Sequence, residues 1–282
     1  MILKTLLREA DARLHAAGVE DSRTVAELLV ARLLKLPRLG LHAVFDRALP
    51  AHAEAALWRG VQRAAEREPV QYILGEWDFR GVTLRVDKRA LIPRPETELL
   101  AQWVLDTEEL WKIFSPRIAD IGTGTGCVIL SIAHERPNCE CLAVDVDVNA
   151  LALARENAGR LGLADRVTFL QADACSEFQP ASLDAIVSNP PYIASAEVDE
   201  LPPHIRCHEP RRALDGGADG LAIIRAIIEG ASWALRPGGF LFFETAHDQG
   251  PATRALMENA GFSQTSLRAD YNGHHRFVRG VL

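Results

Sequence analysis

Arg117-Ile118-Ala119-Asp120-Ile121 runs straight into Gly122-Thr123-Gly124-Thr125-Gly126, and the apolar run Cys127-Val128-Ile129-Leu130-Ser131-Ile132 follows at once. Three glycines at alternate positions between a strand pattern and a helix pattern leave little choice of fold. Glycine lets the backbone turn tightly and approach a ligand closely, and the helix behind it offers free N–H donors at its first turn. The alternation then continues. Apolar strand segments stand near 117–121, 140–145, 167–171, 183–188 and 239–244, with later ones near 262–268 and 275–281, separated by helical stretches. Such a pattern predicts βαβ units and a parallel sheet, and right-handed crossovers place helices on both of its faces.

Acids at the strand ends narrow the ligand. The second strand ends at Asp145, 19 residues beyond Gly126, where a carboxylate can accept from both hydroxyls of a ribose. The third ends at Gln171-Ala172-Asp173, and Asp173 is placed to accept from an adenine amino group. A dinucleotide fingerprint wants glycine at 127, but Cys127 stands there. Asp120, on the first strand, suits a ligand with a cationic amino-acid end better than a pyrophosphate. Asp120, Gly122, Thr123, Gly124, Thr125, Gly126, Asp145 and Asp173 are therefore the candidate binding residues for S-adenosyl-L-methionine.

The fourth strand of this series, Leu183-Asp184-Ala185-Ile186-Val187-Ser188, ends in Asn189-Pro190-Pro191-Tyr192. Two prolines fix their own φ angles and lack N–H groups, so the turn is stiff. A planar amide or aromatic amino group is a poor nucleophile because its lone pair is delocalised. Two acceptors that hold both of its hydrogens can aim that lone pair at a methyl group. Asn189, through its side-chain oxygen, and Pro190, through its backbone carbonyl, are the candidate pair, with the Tyr192 ring packed on the planar group. These three are the candidate catalytic residues. Pro191 completes the candidate substrate-binding tetrapeptide, and Asn189 also borders the cofactor.

Residues 1–75 are expected to form a helical domain, 76–98 a hairpin and linker, and 99–282 the catalytic domain. The first helix follows Ile2, Leu3, Leu6, Leu7, Ala10 and Leu14, with Gly18 as its stop. A second opens at Asp21-Ser22, either of which can cap it. A third runs from Pro50 towards Glu68, where Pro69 ends it. Phe79 to Val86 reads as a hairpin, and a further helical run carries Leu99, Leu100, Trp103 and Val104. The five tryptophans (58, 77, 103, 111 and 233) are expected in core or junction packing.

Net charge is −7, and no basic surplus of the kind that grips a nucleic-acid backbone is evident. A protein or small-molecule substrate is favoured, with no direct nucleic-acid partner and no membrane span. The charges at Lys4, Arg8 and Glu9 come too early for a signal peptide. Five cysteines without a C-x-x-C pair read as thiols in a reducing cytoplasm, with no metal site.

The chain resembles the protein-(glutamine-N5) methyltransferases of peptide-chain release factors. Pro69-Val70-Gln71-Tyr72-Ile73-Leu74-Gly75, Leu91-Ile92-Pro93-Arg94-Pro95-Glu96-Thr97-Glu98, Asp120 to Gly126 and Asn189 to Tyr192 carry the resemblance. So do Glu209 to Gly217, Asp219-Gly220-Leu221, and Asp270-Tyr271-Asn272-Gly273 with Arg276. The resemblance implies a class I S-adenosylmethionine-dependent methyltransferase, with a Rossmann-like seven-stranded sheet and an N-terminal helical bundle joined by a β-hairpin linker. It implies methylation of the glutamine side-chain amide in the Gly-Gly-Gln motif of release factors, by a chain expected to act as a monomer. The helical domain would help to grip the release factor. Two positions depart from the family pattern. Ala174 replaces the aromatic residue that often faces adenine, so Val146 or another apolar wall is expected to serve instead. Ala246 replaces glycine in Glu-x-Gly-x-x-Gln, where a small backbone adjustment is expected. The alternative reading is a methyltransferase of nucleic-acid amino groups, adenine N6 or guanine N2.

Overall fold

A computed structural model describes residues 1–282, and the chain divides into two compact units. The first comprises Met1–Glu76 together with Pro202–His208. Helices α1 (Leu3–Ala16), α2 (Ser22–Leu34), α3 (Ala51–Ala65) and the short α4 (Val70–Leu74) build it. The stripe Leu3, Leu6, Leu7, Ala10 and Leu14 buries one face of α1 against Leu29 and Val30 of α2 and Leu57 and Val61 of α3.

Two local expectations fail here for tertiary reasons. Neither Asp21 nor Ser22 caps α2: Asp21 sits at φ 49°, and the Ser22 hydroxyl donates to Asp11 of α1 at 2.6 Å. Helix α3 stops at Ala65, short of Glu68. Arg67 adopts φ 69° and donates from its guanidinium to the Gly18 carbonyl at 2.5 Å. A 3₁₀ stretch, Arg38–Val44, lies between α2 and α3.

The second unit, Trp77–Leu201 with Glu209–Leu282, starts in the hairpin of β1 (Glu76–Phe79) and β2 (Val82–Arg85). Its two-residue turn, Arg80-Gly81, has positive φ at both positions, as a right-twisted hairpin requires. Helices α5 (Pro95–Leu105) and α6 (Glu108–Trp111) follow. The first of these begins four residues ahead of Leu99, because Pro95 has the φ of a first helical residue and no N–H to leave unpaired.

Seven strands then form one sheet: β3 (Arg117–Ile121), β4 (Glu140–Asp145), β5 (Val167–Gln171), β6 (Leu183–Ser188), β7 (Leu235–Glu244), β8 (Ser263–Arg268) and β9 (Phe277–Val281). Their order is β5-β4-β3-β6-β7-β9-β8, parallel except where β9 pairs with β7 and β8. Helices α7 (Cys127–Glu135), α8 (Val148–Arg160), α10 (Ala222–Ala234) and α11 (Gly250–Asn259) accompany it, and the single turn α9 (Pro203–Arg206) falls in the first unit. Successive residues of a strand enter opposite cores. Phe240 and Phe242 join Leu100, Ile129 and Val187 on one face, while Leu241 and Phe243 join Ile186, Ile224 and Met257 on the other. Burial on both faces is why these strands read as unbroken apolar runs.

The expected strands all form. β7 opens earlier, at Leu235, with a register shift against β6 between Leu183 and Ala185 that takes up Arg236 to Gly239. Trp233 departs from the packing expectation and is 61% exposed. No helix is long and apolar enough to cross a membrane.

Candidate active site

The chain runs from β3 outward to β4 and β5, then returns to the other side of β3 as β6. Ile121 lies beside Val144 of β4 and Ser188 of β6. This reversal opens a crevice at the carboxyl ends of β3 and β6, the place where open α/β sheets bind ligands. The Ser188 hydroxyl donates to the Ile121 carbonyl at 2.7 Å and fixes the two strand ends together.

The glycine loop fills one lip of the crevice. The N–H groups of Gly122 and Thr123 both reach the Val144 carbonyl at 2.9 Å, and that of Gly124 reaches Asp145 Oδ2 at 3.0 Å. Gly122 and Gly124 have positive φ. Gly126 has φ 83° and a different job. A Cβ there would meet Leu130 Cδ1 at 2.8 Å and Ala154 Cβ at 3.3 Å, so this glycine lets α7 pack closely and does not line the cavity.

Behind the loop lies a cavity of about 680 Å³ whose walls include Asp120, Gly122 to Thr125, Asp145, Val146, Asp173, Ala174, Asn189, Pro190 and Pro191. Asp120 is 2% exposed and accepts from the Thr123 hydroxyl at 2.7 Å. Burial pushes its pKa up to about 7, against the pull of that hydrogen bond. Burial also raises Asp145, whose two oxygens accept from the N–H groups of Gly124 and Asp147. Ala174 sits at φ 47°, and Val146, Ile223 and Ile227 supply an apolar wall in the same cavity.

The Asn189 amide is held by a residue that sequence reading passed over. Its Nδ2 donates to Thr97 Oγ1 on α5 at 3.0 Å. Thr97 is itself buried, and so is the carboxylate of Glu244, at the end of β7. The registers Val187 opposite Phe242 and Ser188 opposite Phe243 bring Asn189 and Glu244 to the same level. With Nδ2 committed to Thr97, Oδ1 is the amide atom left for the cavity. Burial raises the pKa of Glu244 to about 7 and of Tyr192 to about 12, so the phenol stays neutral. The positive charge of Arg276 pulls the Tyr192 pKa down against burial, and the Arg276 Nε donates to Asp270 at 3.0 Å. Pro190 and Pro191 line the cavity, whereas Tyr192 stands outside its lining.

The backbone after the tetrapeptide is clamped. Ile193 N–H donates to the Leu214 carbonyl, Gly216 N–H to that of Ile193, and Ser195 N–H to that of Gly217. A Cβ on Gly216 would come within 2.7 Å of the carbonyls of Pro191 and Gly220. Arg94 is settled by Glu209, which is buried and accepts from the guanidinium at 2.5 Å and from the Ile92 N–H at 3.2 Å. Ala246 does not have the positive φ that would call for glycine.

Residues 5–75 match the PrmC N-terminal domain family, and residues 96–205 match the methyltransferase small domain family. The chain is 42% identical to the release factor glutamine methyltransferase of Moorella thermoacetica over 98% of its length and 97% of that protein's. It is 39% identical to the protein of the same name from Deinococcus radiodurans, over 99% and 98%. Among solved structures, the Thermus thermophilus 16S rRNA N2 G1207 methyltransferase in complex with AdoMet and guanosine aligns with a TM-score of 0.52 at 19% identity. That match covers 73% of this chain and 49% of the other, and it supports the class I methyltransferase fold. With the helical unit, the switch-point cavity and near full-length identity in agreement, the chain belongs to the release factor glutamine methyltransferase family.

Proposed function

We propose that this protein methylates the side-chain amide nitrogen of the glutamine in the Gly-Gly-Gln motif of peptide-chain release factors, with S-adenosyl-L-methionine as methyl donor. The observation that carries the reading is the Asn189 amide, anchored at Nδ2 by Thr97 at 3.0 Å and bordering the same cavity as the glycine loop.

The residues present fit the donor. A cavity of about 680 Å³ lies in the range that holds such a ligand. Asp120 offers a buried carboxylate to a cationic amino-acid end, Asp145 a carboxylate to ribose hydroxyls, and Asp173 an acceptor to an adenine amino group. Ala174 leaves the adenine face to Val146, Ile223 and Ile227. Bound there, the donor supplies an electrophilic sulfonium methyl. Asn189 Oδ1 and the Pro190 carbonyl accept the two amide hydrogens of the substrate glutamine and turn its lone pair towards that methyl. Tyr192, held neutral by burial, backs the turn. The contribution is orientation, with stabilisation of the charge that grows on nitrogen. The attack needs no general base, because the methylated nitrogen is acidic and loses its proton afterwards. The helical unit serves to grip the release factor.

The nucleic-acid alternative would use the same two acceptors. Relatives at 37–42% identity, all named release factor glutamine methyltransferases, favour the protein substrate. The test is a mass spectrum of release factor incubated with enzyme and S-adenosylmethionine. One added methyl on the Gly-Gly-Gln glutamine is expected. Label in ribosomal RNA or DNA, with none in release factor, would overturn the reading.

A further inference from the structure

We propose that Asn157 is a positioning residue for the cofactor: its buried amide joins the glycine loop to the linker that lines the same cavity, and fixes the spacing between them. The inference rests on the reading of that cavity as the S-adenosylmethionine site.

Asn157 stands on the third turn of α8, in the stripe that also buries Ala150, Leu153 and Ala154, and is 0% exposed. An amide taken out of water is destabilising unless its polar atoms find partners. All of them do. Oδ1 accepts from the Arg85 N–H at 2.7 Å. Nδ2 donates to the Arg85 carbonyl at 3.1 Å and to the Thr125 carbonyl at 2.9 Å. One donor and two acceptors around it fix which way round the amide sits. Asn157 thus meets Arg85 as a neighbouring strand would, and its other N–H holds the glycine loop. An apolar residue could pack this stripe of the helix, but only a group with both a donor and an acceptor makes the link.

Both joined segments lead into cavity walls. Thr125 is itself a wall residue. Arg85 ends β2 and opens the linker, of which Ala90, Leu91 and Ile92 line the cavity. A second contact points the same way. Ala90 is 2% exposed and packs on Ala150 and Leu153 of α8, and a Cβ on Gly124 would meet Ala90 Cβ at 3.7 Å. Linker and loop therefore leave room for a single methyl group between them. The far end of the linker is tied to Glu209 through Ile92 and Arg94, so Asn157 supplies the near anchor. Glu156, beside it, pairs with Arg85 at 3.0 Å and with Arg89 at 2.8 Å, but it is 40% exposed, where such pairs contribute little. A ligand held by both walls senses their spacing directly. Loosening the near anchor weakens its binding, while Asn189 and Pro190, at the end of β6, keep their places.

The test compares wild type, N157A, N157L and E156Q. Calorimetry gives the affinity for S-adenosylmethionine, and kinetics with release factor gives kcat and the cofactor KM. Residue-resolved hydrogen exchange follows the amides of Arg85, Gly124 and Gly126. N157A and N157L should bind the cofactor at least about tenfold more weakly and raise its KM in step, with kcat at saturation within about threefold of wild type. N157L keeps the bulk of the side chain, so its loss reports the hydrogen bonds. E156Q should stay within about twofold in affinity. In wild type the cofactor should slow exchange at Arg85 as well as at Gly124 and Gly126. In N157A and N157L at saturating cofactor, Gly124 and Gly126 should keep that protection and Arg85 should lose it. A lower thermal midpoint with cofactor affinity unchanged would make Asn157 merely structural and overturn the proposal. Arg85 exchange in wild type that ignores the cofactor would overturn it too, and that measurement needs no variant to fold. If wild type binds no S-adenosylmethionine, the cofactor reading fails, and the unliganded proteins still decide the link. N157L must then speed exchange at Arg85 and Gly124 together, and faster exchange at Arg85 alone would overturn it.

Discussion

Gln249 donates from Nε2 to the Tyr192 carbonyl at 2.9 Å, while its Oε1 accepts from the Ala246 N–H at 3.2 Å. One side chain thus ties the turn after β7 to the turn after β6, and holds the backbone on which Asn189 and Pro190 present their acceptors. Q249A should lower kcat by about tenfold, the value of one hydrogen bond at a site where orientation is the chemistry. Cofactor affinity should stay within about twofold, since Gln249 does not line the cavity. Steady-state kinetics beside calorimetry reads both numbers. An equal loss in the two would tie Gln249 to the cofactor instead.

Gly216 is fixed by neighbours that cannot yield. Its added Cβ would lie 2.7 Å from two carbonyl oxygens and 2.8 Å from Tyr192 Cα, all of them backbone. G216A should therefore cost about 2 kcal/mol or more and displace the tetrapeptide, seen as a lower thermal midpoint together with lost turnover. Gly159 of α8 has open space around its missing Cβ and no positive φ. G159A should raise stability by roughly 0.5 kcal/mol or leave it unchanged. Equal effects of the two would contradict the packing argument.

Asp120 sets a pH dependence whose sign follows from its raised pKa of about 7. A carboxyl that holds its proton more tightly when folded contributes stability fully present below its unfolded pKa. That contribution is lost as pH rises through about 7. D120N should match wild type in stability near pH 4 and exceed it at pH 8, by at most about 4 kcal/mol. It should bind S-adenosylmethionine at least tenfold more weakly, having lost the charge that meets the cationic end. Chemical denaturation at the two pH values, with calorimetry at pH 8, checks both. A mutant less stable than wild type at pH 8 would refute the burial cost.

The strands were legible because a parallel sheet buries both faces, so β3, β4 and β6 appear as apolar runs without alternation. The glycine loop and Asp145 were legible because their spacing is itself the geometry of a strand-turn-helix. What escaped depends on distant residues meeting. Asn189 and Thr97 are separated by 92 positions, and nothing local to Thr97 marks it as a hydrogen-bond acceptor for an amide. The end of α3 depends on Arg67 reaching Gly18, and the start of α2 on Ser22 turning to Asp11. Gly126 matched the loop pattern yet serves packing against Leu130, a distinction that requires φ and a neighbour's coordinates.

Arg94 and Glu209 offer the last test, because the ion pair separates a structural arginine from a substrate-binding one. Glu209 has a side chain 1% exposed and accepts from both Arg94 and the Ile92 N–H. Removing one partner of a buried pair strands a charge, so R94A should destabilise the catalytic unit by roughly 3 kcal/mol. Converting the stranded acid to a neutral amide removes most of that penalty. The double variant R94A/E209Q should recover at least half of the lost stability, measured by chemical denaturation. If Arg94 serves only to staple residues 91–94 to the loop at 209, turnover should recover in step with stability. Restored stability with turnover still depressed at least tenfold would assign Arg94 to substrate binding instead.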